Sequence, residues 1–208
     1  MEVVSLDVIV AEIMQARPVG ATRIVGVDGR AGSGKSSLAW RLAERTDATV
    51  VHTDDFAAWD DLTGWWPRFD AEVLQPLLAG RDAHFQVRDW EGDEFGRSLG
   101  PWKTASWTPV VVVEGVTVTR REAAGRLAYR VWVEAALRVR LRRGLERDGE
   151  NDRALWLEWQ RQEDEFFAVD HPAPRADLIV RTDSNLPHDP ASEVVRQIDA
   201  LNPASAPR

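Results

Sequence analysis

The segment Gly29-Arg30-Ala31-Gly32-Ser33-Gly34-Lys35-Ser36 fits the pattern G-x-x-x-x-G-K-[ST]. Residue types at this spacing suit one task, holding a polyphosphate. Successive backbone N–H groups must turn inward toward phosphate oxygens, through conformations that glycine tolerates best. A helix beginning directly afterwards adds its positive N-terminal dipole. Lys35 would reach the β- and γ-phosphates as a point charge, and Ser36 would place its hydroxyl on Mg²⁺. Lys35 is one of only two lysines in an arginine-rich chain, the other being Lys103. A planar guanidinium does not readily replace a compact charge tucked among loop amides. Gly29, Ala31, Gly32, Ser33, Gly34, Lys35, Ser36 and Ser37 are therefore the expected ATP-binding set.

Phosphoryl transfer also needs a group to orient or deprotonate an acceptor hydroxyl, and acidic groups to hold Mg²⁺. "HTDDF" offers Asp54 and Asp55, and "VVEG" offers Glu114. An Asp pair is also what a helix cap or a solvated turn looks like. A carboxylate closing a run of four valines is costly to bury without a partner, and a cation beside phosphates would supply one. Ser36, Asp54 and Glu114 are the candidate metal ligands. Arg147 and Arg153 flank "DGEND", a polar segment suited to a mobile lid over the transferred group. Arg138, Arg140, Arg142 and Arg143 read as a solvated helix face for at least half of their number.

These residues must be positioned by strands and helices. Apolar spacing predicts a helix over Leu6 to Ala16, and "TRIVGV" (Thr22 to Val27) predicts a buried strand before the glycine loop. A helix is expected over Ser36 to Arg45, a strand over Ala48 to Phe56, and a helix from Arg68 stopping at Gly80. His84 to Trp107 reads as a hairpin-like insertion. The unbroken run in "PVVVVEGV" implies a strand buried on both sheet faces. Further strands are expected at Arg130 to Val133 and Ala176 to Thr182, with helices at Leu137 to Arg147, Arg153 to Phe167 and Ser192 to Leu201. Strands alternating with helices imply a three-layer α/β/α fold with a parallel sheet. In such sheets ligands bind beyond the carboxyl ends of the strands, where Asp54, Asp55 and Glu114 would converge on the glycine loop.

The chain has 208 residues and a net charge of −8, which suits one domain and argues against a nucleic-acid surface. An insertion over roughly 57–107, an arginine lid near 147–153 and a frayed tail at 202–208 are expected within that domain. There is no cysteine, so disulfides and thiolate metal sites are excluded and a reducing, cytoplasmic setting is compatible. No apolar run nears the roughly 20 residues of a membrane span, and Glu2 and Asp7 interrupt any signal-peptide order. The expected partner is a small-molecule acceptor, and self-association into a homo-oligomer is compatible with the sequence.

With these residues in place, the chain resembles the uridine kinase-like group of phosphate-loop (P-loop) kinases. The resemblance runs from about Ile24 to Val180, through "GVDGRAGSGKSSLA", "VVHTDDF", "VVVVEGV", "RLRRGLERD" and "RADLIV" in the group's order. It implies ATP- and Mg²⁺-dependent transfer to a hydroxyl of a small metabolite, nucleoside-like first of all. Asp54 would be the general base, Glu114 would act near Mg²⁺, and Arg147-Asp148 would match the Arg-Asp that leads into the lid. Two departures concern the acceptor. "WWP" (Trp65-Trp66-Pro67) stands where pyrimidine nucleoside kinases have Asp-His-Pro. "QVRDW" puts Arg88 in the place of a base-contacting Tyr, followed by Asp89 and Trp90. Arg88 suggests an anionic, strongly polar or planar acceptor. Trp65, Trp66 and Trp90 would form an aromatic wall, or else pack a small subdomain, and Asp55 is a further acceptor-side candidate. A kinase for a cofactor precursor or an antibiotic hydroxyl stays open beside the nucleoside kinase. So does a P-loop NTPase switch with no small acceptor.

Overall fold

The computed structural model describes residues 1–93, 95 and 97–198. Among the described residues nine strands are formed: β1 (Glu2–Ser5), β2 (Arg23–Asp28), β3 (Thr49–His52), β4 (Ala83–Arg88), β5 (Leu99–Ala105), β6 (Val110–Glu114), β7 (Tyr129–Glu134), β8 (Leu178–Arg181) and β9 (Glu193–Arg196). The helices are α1 (Leu6–Gln15), α2 (Lys35–Thr46), α3 (Trp66–Phe69), α4 (Gln75–Leu78), α5 (Leu137–Asp148) and α6 (Arg153–Asp170). A single wide turn of helix, Asp70–Leu74, joins α3 to α4, so the expected Arg68–Gly80 helix is one continuous rod. It stops at Gly80, whose φ is +74°.

Seven strands make one sheet in the order β1-β9-β8-β7-β2-β6-β3. From β3 to β8 every pairing is parallel. β2 and β6 are Val/Ile-rich because both of their faces are covered. Along β2, Val25 and Val27 join Leu38 and Leu42 of α2 on one face, while Ile24 turns to the other. Val110 and Val112 of β6 follow the first face, and Val111 and Val113 the second. The first face is covered by α1 and α2. The second is covered by α3, α4 and the Trp159 and Phe167 side of α6. This is the expected three-layer α/β/α arrangement. β2 lies between β6 and β7, so the strand order turns at β2 and opens a crevice at its carboxyl end. The two-stranded β4–β5 hairpin stands apart from the main sheet.

The expected last helix is corrected. Glu193–Arg196 is strand β9, antiparallel to both β1 and β8. Val194 and Val195 are β-branched and buried, and the unpaired edge of β8 offers them hydrogen-bond partners that a short terminal helix would lack. The rest of that expected helix beyond 198, and the tail at 202–208, lie outside the described residues. Among the described residues no helix is long and apolar enough to cross a membrane.

Candidate active site

The glycine loop follows β2 directly, and α2 starts at Lys35 with Gly34 as its cap. Gly32 has φ +75°, and a Cβ there would lie 2.4 Å from the carbonyl oxygen of Arg140, so only glycine fits. The Lys35 ammonium folds back on the loop and donates to the Arg30 carbonyl at 3.1 Å. The Ser33 hydroxyl is buried without a partner. Asp28, the last residue of β2, is fully buried. Its carboxylate accepts from the Gly29 amide (2.7 Å), from the Thr117 amide (2.8 Å) and from both the amide and hydroxyl of Thr119 (2.8 Å each). Asp28 thereby ties the glycine loop to the turn after β6. Burial pushes its carboxyl up, against those donors.

Parallel pairing of β3 with β6 sets His52 beside Glu114. Glu114 is 3% exposed, and its Oε1 lies 2.5 Å from the His52 Nδ1 and accepts from the Ser36 hydroxyl at 3.2 Å. Just beyond β3, the turn Thr53–Asp55 presents Asp54 to the same cavity. That turn sits hard against Gly115, where a Cβ would fall 1.7 Å from the Thr53 hydroxyl oxygen. Asp54 is an exposed residue at the cavity surface, and partial desolvation of its carboxyl by the surrounding walls, with the neighbouring Glu114 charge, pushes it above the ordinary aspartate range. Burial also works to raise Glu114, but its His52 hydrogen bond and the Lys35 charge win and hold it below the ordinary value. The hydrogen bond to Glu114 raises the His52 ring in turn, against partial burial. Two carboxylates in one cavity are thus driven apart, one toward accepting a proton and one toward staying anionic.

The cavity measures about 540 Å³. Ala31, Gly32, Gly34, Lys35, Ser36 and Ser37 of the loop and α2 line it. So do Asp54, Ala57, Trp59 and Trp90, with Trp156 and Trp159 of α6 and Arg143, Arg147 and Asp148 of α5. Gly29 opens the loop without reaching the cavity wall. Trp90 donates from Nε1 to the Asp54 carbonyl at 3.0 Å. Arg147 faces the cavity, bonded to Asp148 at 2.7 Å, and its charge opposes the rise in Asp54.

Other expected site residues lie elsewhere. Trp65 and Trp66 are 3% and 9% exposed and belong to the core. Their rings pack on one another and on Phe69, with the Arg120 guanidinium over both. Of the expected aromatic wall only Trp90 reaches the cavity, because the α3–α4 rod must bury its indoles to close the sheet face. Arg88 is turned away too, since its Nε holds the Phe56 carbonyl (2.7 Å) and its terminal nitrogen the Arg97 carbonyl (2.8 Å). Asp55 pairs with Lys103 at 2.7 Å, and Arg153 pairs with Glu150 at 2.7 Å, both off the cavity lining. The α5 arginines divide as their spacing requires: Arg138 and Arg142 face solvent, Arg140 is buried, and Arg143 is half-buried with hydrogen bonds to Thr182.

Several residues that shape the site escape sequence reasoning. Trp156, Trp159 and Glu163 share one face of α6 by spacing, but nothing local says that this face meets the loop. His52 needs the β3–β6 register, and Trp59 carries no local signal at all. Ser36 and Glu114 could hold a cation between them. Among the described residues no group of three or more His, Cys, Asp or Glu side chains is placed to do so alone. That donor set suits Mg²⁺, which uses few protein oxygens and keeps water and phosphate in its shell.

No known family model matches the sequence, and no curated protein matches it. Solved structures do. A structure described as "a Possible Uridine Kinase from Bacillus stearothermophilus" superposes with a TM-score of 0.61 at 19% identity, covering 84% of this chain and 96% of its own. A structure described as a "putative fructose transport system kinase from Silicibacter sp. TM1040" gives a TM-score of 0.52 at 17% identity, covering 83% and 95%. The chain shares the three-layer α/β/α fold of these two structures.

Proposed function

We propose that the protein is an ATP- and Mg²⁺-dependent kinase that transfers the γ-phosphoryl group to a hydroxyl of a small metabolite, a nucleoside or a similar sugar-bearing compound. The observation that carries this reading is the cavity itself. It sets a glycine loop with Lys35 and Ser36 opposite Asp54, with Glu114 between them.

In this reading the loop amides and Lys35 hold the β- and γ-phosphates, and Ser36 and Glu114 hold Mg²⁺ directly or through water. Mg²⁺ supplies charge neutralisation on the phosphate oxygens. The acceptor hydroxyl approaches from the Trp59 and Trp90 side, next to Asp54. Its oxygen bonds to the γ-phosphorus, the bond to the β–γ bridging oxygen breaks, and the hydroxyl proton passes to Asp54. A raised carboxyl is a better proton acceptor than an ordinary aspartate. Arg147, set free from Asp148, would stabilise charge on the transferred group. Arg88 does not reach the cavity, so it lends no support to an anionic acceptor. The indole faces suit a planar body instead.

The test is ADP release from ATP and Mg²⁺, measured with and without a panel of nucleosides, vitamins and phosphosugars. A rise of at least about tenfold with one hydroxyl compound, and a phosphorylated product by mass, is expected. Slow hydrolysis indifferent to every acceptor would sink the kinase reading in favour of an NTPase switch.

A further inference from the structure

Glu163 lies on α6, outside every motif that carries the chemistry, yet it is completely buried. One of its oxygens, Oε1, accepts two hydrogen bonds, one from the loop and one from its own helix. The backbone amide of Ala31 in the phosphate loop donates at 2.6 Å, and the indole Nε1 of Trp159 donates at 3.0 Å. Its second oxygen faces cations, with Arg140 at 3.4 Å and Arg30 at 3.9 Å. Arg30 is also paired with the adjacent Asp164 at 2.5 Å, so loop and helix are clasped at two successive positions.

The chain of contacts continues from Trp159. Its ring meets Trp59 edge-on at 5.4 Å, and Trp59 meets Trp90 edge-on at 6.5 Å. Trp90 then donates to the Asp54 carbonyl. A contiguous belt therefore runs from a loop amide, around the tryptophan side of the cavity, to the turn that bears the proposed base. The indole N–H groups of Trp159 and Trp90 are bonded to protein, so those two rings are fixed in orientation and offer the cavity only faces and edges. A carboxylate accepting two donors at one oxygen makes charge-assisted bonds, stronger than neutral ones, in a site that excludes water.

We infer that Glu163 is a positioning residue that sets the tryptophan wall in register with the phosphate loop, so that nucleotide binding and the acceptor side of the cavity are energetically coupled through its Oε1. The inference rests on the phosphate-loop reading of the site and adds to it a connection that neither the loop motif nor the acidic strand ends contain. Filling the loop shifts the Ala31 amide and with it the acceptor geometry at Oε1. Trp159, which shares that oxygen, must respond. By reciprocity a change at Trp159 must alter nucleotide affinity.

A double-mutant cycle on binding of a non-hydrolysable ATP analogue with Mg²⁺ tests this. Trp159→Phe keeps a ring and removes only the N–H donor. It is expected to weaken the analogue roughly three- to tenfold, the span of one hydrogen bond. In a Glu163→Ala background the same change is expected to shift affinity less than about twofold. If Glu163→Ala does not fold, Glu163→Gln replaces it. A neutral acceptor makes bonds about half as strong, so the Trp159→Phe effect should shrink without vanishing. An unchanged affinity in Trp159→Phe, or an equal loss in both backgrounds, would overturn the coupling, since a purely structural Glu163 or a Trp159 that touches nucleotide directly predicts one of these. Failure of the unaltered protein to bind the analogue would overturn the phosphate-loop reading and this inference together. Analogue binding and coupling without any phosphorylated acceptor would leave the inference standing and remove only the proposed reaction.

Discussion

At the scale of single residues the site is a set of groups made costly by where they stand. Asp54 and Glu114 share a cavity, and their environments move them in opposite directions. Asp54→Asn is expected to cut turnover by about a hundredfold or more, as loss of a general base does, with analogue binding kept within about threefold. The sign of its effect on stability is also fixed. A carboxyl whose folded value is raised above its unfolded value makes the ionised fold less stable, and that stability returns only as pH falls through the raised value. Asn removes the cost, so at neutral pH the melting temperature of Asp54→Asn should be no lower than that of the unaltered protein. A clear drop would mean that Asp54 is structural. Lys35→Arg makes a complementary case. The ammonium is mostly buried against the Arg30 carbonyl, and a planar fork does not fit there. Analogue affinity measured by calorimetry should fall at least about tenfold although the charge is kept.

At the scale of elements, the proposed reaction depends on how closely two turns approach each other. The Thr53–Asp55 turn rests on Gly115, which has φ +149° and no room for a Cβ beside the Thr53 hydroxyl. Gly115→Ala must move that turn or strain the backbone, at a cost of about 2 kcal/mol or more. Because Asp54 rides on the moving turn, turnover should fall more than analogue affinity, which the phosphate loop sets. Equal losses in both would argue that the turn merely supports the fold. The helix–loop clasp at Glu163 and Asp164 belongs to this scale too. α6 carries cavity-lining tryptophans at one end and holds the phosphate loop at its middle, so it links the two halves of the site more directly than the sheet does.

At the scale of the whole molecule, β1 and β9, far apart in sequence, complete one edge of the sheet. Among the described residues β1 pairs with β9 alone, and β9 bridges β1 to β8. Val195 is fully buried in that junction. Removing residues 192–208 would strip β1 of its partner and expose the edge of β8. Such a truncation is expected to be insoluble or to melt far below the full chain. Val195→Asp, which buries a charge without a partner, should act like the truncation. If either change left the melting temperature intact, the strand at 193–196 would be incidental to stability.

The sequence by itself determined the glycine loop and most of the frame around it. The glycine loop, its flanking strand and helix, the four-valine strand and its terminal Glu114 are all local signals: turn chemistry, apolar period, and a charge at the end of a buried run. Each could be read because its physical cause lies within a few residues. The tertiary structure alone decided which aromatic and charged groups reach the cavity. Trp65 and Trp66 carry the same surface potential in sequence as Trp59 and Trp159, and Arg88 the same charge as Arg147. Which of them is buried, braced on carbonyls or turned to the site depends on how α3, α4, α6 and the hairpin pack on the sheet. The last strand was hidden for a related reason, since "EVVR" becomes a strand only where β8 and β1 leave edges to be filled. Packing and edge pairing are long-range, and a single chain read residue by residue does not contain them.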